Sequence, residues 1–140
     1  MRLVGQVFPR GGLWAIEIPI LAVFTQGTTR ANAFEMVEDA VSELVGREGF
    51  EAKVYPDDGE TFELGSNDPA ALTAMMLRRI RSRAGLTLAQ VAKRLDAKSL
   101  NAWARYEQGR AVPTIAKLSE LFAAAAPGLD FVIAESRIRD

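Results

Sequence analysis

Residues 87–109, TLAQVAKRLDAKSLNAWARYEQG, constrain this chain more than any other stretch, because their spacing dictates two short helices meeting at a tight connection. Thr87 suits an N-cap, and Gln90, three residues on, can reach back to the cap's backbone N–H, the capping-box spacing. Leu88, Val91, Ala92 and Leu95 then fall at i, i+3, i+4 and i+7 and make one apolar face. Beyond Asp96, Ala97 and Lys98, Ser99 suits the cap of a second helix. In it Leu100, Trp103, Ala104 and Tyr106 mix core positions with a partly exposed aromatic pair. Lys98, Asn101, Ala102 and Arg105 fall on the outward face. Asn pairs bidentately with adenine, Arg with guanine, and an Ala methyl can touch thymine, so the face is chemically competent for the major groove. A basic, solvated helix of an ordinary bundle would show the same pattern, and the flanking sequence has to decide.

The flanks favour the nucleic-acid reading. Asp68 can cap a preceding helix with Pro69 at its first position. Leu72, Met75, Met76 and Ile80 mark its buried face, while Arg78, Arg79, Arg81 and Arg83 crowd the rest until Gly85. Pro113 and Thr114 open a last helix with Ile115, Leu118, Leu121, Phe122 and Ala125 inward, ended by Pro127 and Gly128. Four helices in this order, the second and third closely joined, make a helix-turn-helix bundle with the third in the reading position. Gln90, Lys98, Ser99, Asn101, Ala102, Arg105 and Arg110 are the expected DNA contacts. The partner is operator double-stranded DNA, met by a homodimer or higher homo-oligomer.

Upstream the periodicity changes from helical to alternating. Residues 2–8 read as a strand with Leu3, Gly5 and Val7 on one face and Arg2, Val4, Gln6 and Phe8 on the other. Pro9, Arg10, Gly11 and Gly12 carry turn chemistry, and residues 13–18 return as a second strand, apolar on both faces as an inner strand would be. Pro19 ends it, and residues 20–25 supply a third. Thr28 or Thr29 caps a helix reaching Val45, stopped by Gly46. Its buried stripe is Ala33, Phe34, Val37, Ala40, Val41, Leu44 and Val45, and its outer face is acidic. Residues 51–55 form a fourth strand, followed by a turn and the short segment 61–64. The fold class is α+β: a small antiparallel sheet with one covering helix, then an all-α helix-turn-helix bundle. The polar run Gly65-Ser66-Asn67-Asp68 places the division, giving domains 1–66 and 67–128 and a strand-like tail 129–140 built on Phe131, Val132 and Ile133, available to a sheet or a dimer contact.

Charge follows the same division. Residues 1–67 carry five basic side chains against eleven acidic ones, a net of −6, whereas residues 68–126 carry ten against four, a net of +6. The whole chain sums to only −1. Such asymmetry points to two partners of opposite character, one of them anionic. The 140 residues include no cysteine and no histidine, which removes disulfides, thiol chemistry, Cys/His zinc sites and histidine acid–base catalysis. No cofactor or metal is expected, and no run approaches the ~20 apolar residues of a spanning helix, so a cytoplasmic location without membrane contact is expected.

Two resemblances add to this reading. The segment MLRRIRSRAGLTLAQVAKRL, continuing through NAWARYEQGRAVPTIAKLSELF, resembles the helix-turn-helix of the Xre/Cro repressor group, with Glu107, Gln108, Gly109 and Pro113 at that group's Glu-x-Gly and proline positions. LWAIEIPILAVFTQGTTRANAFEMVEDAV resembles the HicB antitoxin family, Thr25, Gln26, Gly27, Thr29 and Ala33 matching its signature. It departs at Leu21-Ala22, where that family more often carries Pro-Gly, and at Thr28, where Asp is common. The resemblance implies a partial ribonuclease-H-like sheet that neutralises a HicA-type mRNA-cleaving toxin, while the C-terminal domain represses the operon. It makes Glu17, Glu35, Glu38, Asp39 and Glu43 candidate contacts to that cationic toxin.

Two competing readings are weaker. A ribonuclease-H-like sheet invites a two-metal nuclease, but residues 2–8 carry no carboxylate and Glu17 is the only one on the hairpin, so no enzyme is expected. A stand-alone repressor could sense a small ligand through Trp14, Phe24 and Tyr55, although such aromatics are more simply core.

Overall fold

A computed structural model of the chain describes residues 1–95 and 100–137. It divides into two compact units, Met1–Leu72 and Thr73–Asp140. The first holds five strands, β1 (Leu3–Arg10), β2 (Leu13–Ile18), β3 (Val23–Gly27), β4 (Ala52–Pro56) and β5 (Thr61–Ser66), with the helix α1 (Arg30–Val45) between β3 and β4. The helix α2 (Pro69–Arg83) runs across the division, and α3 (Leu88–Arg94), α4 (Asn101–Glu107) and α5 (Ile115–Ala125) complete the second unit. This is an α+β domain followed by an all-α bundle.

The strands form one sheet in the order β3-β2-β1-β5-β4, every neighbouring pair antiparallel. β2 is an inner strand, as its two apolar faces anticipate. The segment after the second turn is more than a short extension: β5 continues through Gly65 and Ser66 and takes an inner place beside β1. The first turn is tighter than its composition implies. Pro9 and Arg10 still belong to β1, paired with Trp14 and Leu13, and only Gly11 and Gly12 turn the chain. Their φ values of +58° and +79° are those of a primed two-residue hairpin turn, whose twist matches that of the strands.

The register puts Leu3 and Val7 of β1, Ile16 and Ile18 of β2, Phe62 and Leu64 of β5 and Val54 of β4 on the face that α1 covers. Ala33, Val37 and Val41 are the fully buried part of the α1 stripe, and Phe34 meets Phe62 edge-on at 5.7 Å. Thr29 is the cap, its hydroxyl accepting from Asn32 N–H at 3.0 Å, and Gly46 N–H closes the other end on Ser42 O. Arg30 reaches from the first turn of α1 to the β4–β5 turn, donating to Asp57 O at 2.6 Å and Gly59 O at 2.9 Å.

The third strand begins later than residue 20 because Pro19–Leu21 form a 3-10 turn. It ends at Ala22, the one non-glycine with positive φ among the described residues, at +51°. An L-residue pays roughly 1–2 kcal/mol to adopt this conformation, of which glycine's extra unfolded-state freedom returns up to about 1. Ala22→Gly is therefore expected to raise the thermal midpoint of the first unit by an amount corresponding to up to about 1 kcal/mol, readable by calorimetry.

Just before the division Asp68 caps α2, its side chain accepting from Ala71 N–H at 3.0 Å. In the second unit Met75, Met76, Leu77 and Ile80 of that helix are buried, as are Val91, Ala92, Trp103, Ala104, Tyr106, Leu121 and Phe122, and Leu72, the last residue of the first unit, is buried too. Two expectations are corrected here. Ile115, at the first position of α5, is 69 % exposed rather than inward, since the buried part of that helix begins at Leu121. The tail is not a strand: residues 131–137 have no ladder partner among the described residues, and a strand without one leaves its backbone groups to solvent. Phe131 anchors it on Phe122, ring centroids 6.1 Å apart, while Val132 and Ile133 are exposed.

Candidate nucleic-acid interface

The two helices expected from residues 87–109 form where the spacing puts them. Thr87 and Gln90 make the capping box in full: Gln90 N–H donates to Thr87 Oγ1 at 3.1 Å, and Thr87 N–H donates to Gln90 Oε1 at 2.9 Å. The Gln90 side-chain oxygen is thus committed to the cap, and its amide NH2 is the part that the cap does not use. The second helix starts at Asn101 with Leu100 as N-cap and no side-chain capping bond. Ser99, expected there as the cap, lies outside the described residues, as does Lys98.

Burial sorts α4 more sharply than its composition does. Trp103 and Tyr106 are both buried, not a half-exposed pair, and Leu100 is the residue turned outward, at 56 % exposure. Asn101, Arg105 and Gln108 are exposed at i, i+4 and i+7 and so share one outward stripe, with Ala102 half-buried on its flank. Gln108 extends this outward stripe, which periodicity within the helix does not reveal because the residue sits one position past the last helical turn. After it Gly109 turns the chain at φ +73°, and the N–H groups of Arg110 and Ala111 both donate to Arg105 O, at 2.9 and 3.2 Å. Arg110 is thereby held just beyond the helix, exposed.

What fixes α4 to the bundle is an ion pair that sequence reasoning missed. Arg81 of α2 donates Nε to Glu107 Oε2 at 2.7 Å and Nη2 to Glu107 Oε1 at 2.6 Å, a fork-on-fork pair. Trp103 Nε1 donates to the same Oε2 at 2.6 Å, and Arg81 Nη1 donates to Leu86 O at 2.8 Å in the α2–α3 turn. The Arg81 and Glu107 side chains are only 19 % and 9 % exposed. Burial pushes the Glu107 carboxyl upward, but the bonds from Arg81 and Trp103 and the charges of Arg81 and Arg78 outweigh it and hold the group below its ordinary value. Arg81 was legible only as one of four arginines crowding α2. The signal that singles it out is that Glu107 is the only carboxylate on α4, four residues after a tryptophan.

The acidic candidates of the first unit divide. Glu35, Asp39 and Glu43 are exposed on α1, and Glu38 is half-buried, its carboxyl raised chiefly by burial, then by Asp39 and Glu35, against the Val54 backbone N–H and Lys53. Glu17 pairs with Gln6 and Phe24 and so lies on the sheet face opposite α1, apart from the other four. The proposed aromatic pocket does not form. Trp14 shares the α1 side with Ile16, whereas Phe24 and Tyr55 are on the other face, on β3 and β4 at opposite edges of the sheet. Phe24 is 54 % exposed, so it is not core either.

Residues 74–126 match a family model described as a helix-turn-helix domain. None of the curated proteins compared matches the chain. The C-terminal region is therefore a helix-turn-helix DNA-binding domain, a fold that binds DNA and performs no catalysis. Among the described residues no group of three or more His, Cys, Asp or Glu could hold a metal ion. No helix among them is long and apolar enough to cross a membrane.

Proposed function

We propose that the protein is a transcriptional repressor that binds operator DNA through α4. The single observation carrying this reading is the outward stripe of Asn101, Arg105 and Gln108 on a helix locked to its bundle by the Arg81–Glu107 pair. Asn and Arg are the residue types that read adenine and guanine bidentately, and Arg110 beside them suits a phosphate. A dimer would set two such helices ~34 Å apart on an inverted repeat. Gln90, Ala102 and, from the sequence alone, Lys98 and Ser99 complete the proposed contacts. Arg105→Ala should lose discrimination worth about 1–3 kcal/mol at one base pair per half-site, whereas Arg110→Ala should weaken binding to all duplexes about equally. A gel-shift series at fixed salt checks this, and intact operator preference in Arg105→Ala would show that α4 does not read through that side chain.

A second, narrower reading assigns the first unit to a HicA-type toxin, making the protein a HicB-type antitoxin of the cytoplasm. It is favoured by the exposed carboxylates Glu35, Asp39 and Glu43 on one helix, which suit a cationic protein. The signature residues argue less directly, because Gly27, Thr29 and Ala33 all serve the docking and capping of α1. In this reading the domains are 1–66 for the toxin and 67–128 for DNA, with 129–140 as a tail. Co-expression of the full chain with a short Lys/Arg-rich protein from an adjacent reading frame tests it. Capture that survives Glu35→Lys/Asp39→Lys would rule out the α1 face.

A further inference from the structure

Tyr106 has a polar end that the packing of the bundle does not use. The residue is only 8 % exposed, yet its hydroxyl oxygen accepts a hydrogen bond from Arg105 Nη2 at 3.2 Å, and Arg105 Cζ stands 5.0 Å from the ring centroid. Adjacent residues on a helix point about 100° apart. Arg105 must therefore lie sideways across α4 to make both contacts, and this removes rotamer freedom that an exposed arginine ordinarily keeps.

From this geometry we infer that Tyr106 is a positioning residue for sequence reading: its ring and hydroxyl hold the Arg105 guanidinium in one orientation on the outward stripe of α4. The inference rests on the proposal that α4 enters the major groove. An arginine that reads guanine must present two N–H groups to O6 and N7 at once, and its planar fork does so only in a narrow range of orientations. A side chain already ordered in the free protein gives up less freedom on binding. Tyr106 is suited to that ordering because it is itself fixed: it is buried on the same side of α4 as Trp103, three residues before it. The hydroxyl accepts one guanidinium N–H through its oxygen. The remaining guanidinium N–H groups stay available to a base edge.

The test uses the full chain. A duplex is enriched from a randomised library with the wild-type protein, and affinities for it, for its single-base-pair variants and for an unrelated duplex are measured at one salt concentration. Tyr106→Phe keeps the ring. It should retain the melting midpoint and the affinity for the unrelated duplex, but lose about ten-fold of the discrimination at the base pair where Arg105→Ala loses it. The double variant Arg105→Ala/Tyr106→Phe should discriminate no worse than Arg105→Ala alone. Full discrimination by Tyr106→Phe overturns the inference, and so does a further loss in the double variant, which would mean that Tyr106 acts by its own contact or through the fold. If Tyr106→Phe melts earlier, the comparison of the double variant with Arg105→Ala, each below its midpoint, still decides. Should the wild-type chain enrich no duplex, the reading of α4 as a DNA reader falls and this inference with it, whereas a failure confined to the tyrosine variants touches the inference alone.

Discussion

Glu107→Ala is expected to cost the second unit about 3–5 kcal/mol, the range for removing one partner of a buried ion pair. The loss exceeds that of an ordinary surface pair because three donors are stranded together: two from the Arg81 fork and the Trp103 indole N–H. The Arg81 charge would remain at a largely covered site with only Leu86 O to receive it. Thermal unfolding followed by the fluorescence of Trp103 in a Trp14→Phe background reports this unit separately, since the chain has two tryptophans, one in each unit. Specific DNA binding should disappear with the fold, because the same pair sets α4 on α2. Glu107→Gln keeps the shape and one acceptor and should cost less. The pair also predicts a pH dependence. The folded-state pKa of Glu107 lies below its ordinary value of 4.5, so the stabilisation is complete above that value and is lost as pH falls through the lowered one. Glu107→Gln should flatten that acid limb. An unchanged limb would mean that other carboxylates govern acid unfolding.

Gly27→Ala is expected to destabilise the first unit by about 3 kcal/mol or more, toward the upper end of what overpacking costs. A methyl at this position would sit 2.7 Å from Ala33 Cα and 2.8 Å from Asn32 C, and closer still to Ala33 N. These are backbone atoms of the first turn of α1, held by the Thr29 cap, and they cannot give way as the end of a side chain can. The same holds at Gly5. There a methyl would run into the Phe62 ring, itself buried against Phe34, and, at 2.8 Å, into Glu17 O, so neither neighbour can yield freely. Gly5→Ala should accordingly cost about as much. Trp14 fluorescence in a Trp103→Phe background measures both, and a Gly27→Ala variant as stable as the wild type would show that the first turn of α1 can lift from β3.

These two sites show how far local pattern carries. The capping box at Thr87, the cap at Thr29 as one of two candidates with Thr28, the helix start at Thr114, the inner character of β2 and the stop at Gly46 were legible in the sequence, because each depends on residues close together in the chain. The outward placing of Asn101 and Arg105 follows from the same helical period. What the sequence left open are matters of which distant surfaces meet. Residues 61–66 could not be ranked as an inner strand, since that depends on β1 accepting them across the sheet. The tail 129–137 has strand composition, but composition cannot supply a ladder partner. Arg81 was indistinguishable from Arg78, Arg79 and Arg83 until α4 was laid against α2. Trp14, Phe24 and Tyr55 could be grouped only while the two faces of the sheet were not told apart.

The sequence by itself determined that two architectures follow one another, an alternating half with acidic charge and a helical half with basic charge, and that the second carries a helix-turn-helix. Backbone periodicity and short-range hydrogen bonds suffice for that. Only the tertiary structure decided which arginine became the buried partner of Glu107, which aromatic came to hold Arg105, and where β5 lies. A buried charge finds its partner, and a strand its neighbour, through contacts between residues far apart in the chain, and those are selected by the packing of the whole unit.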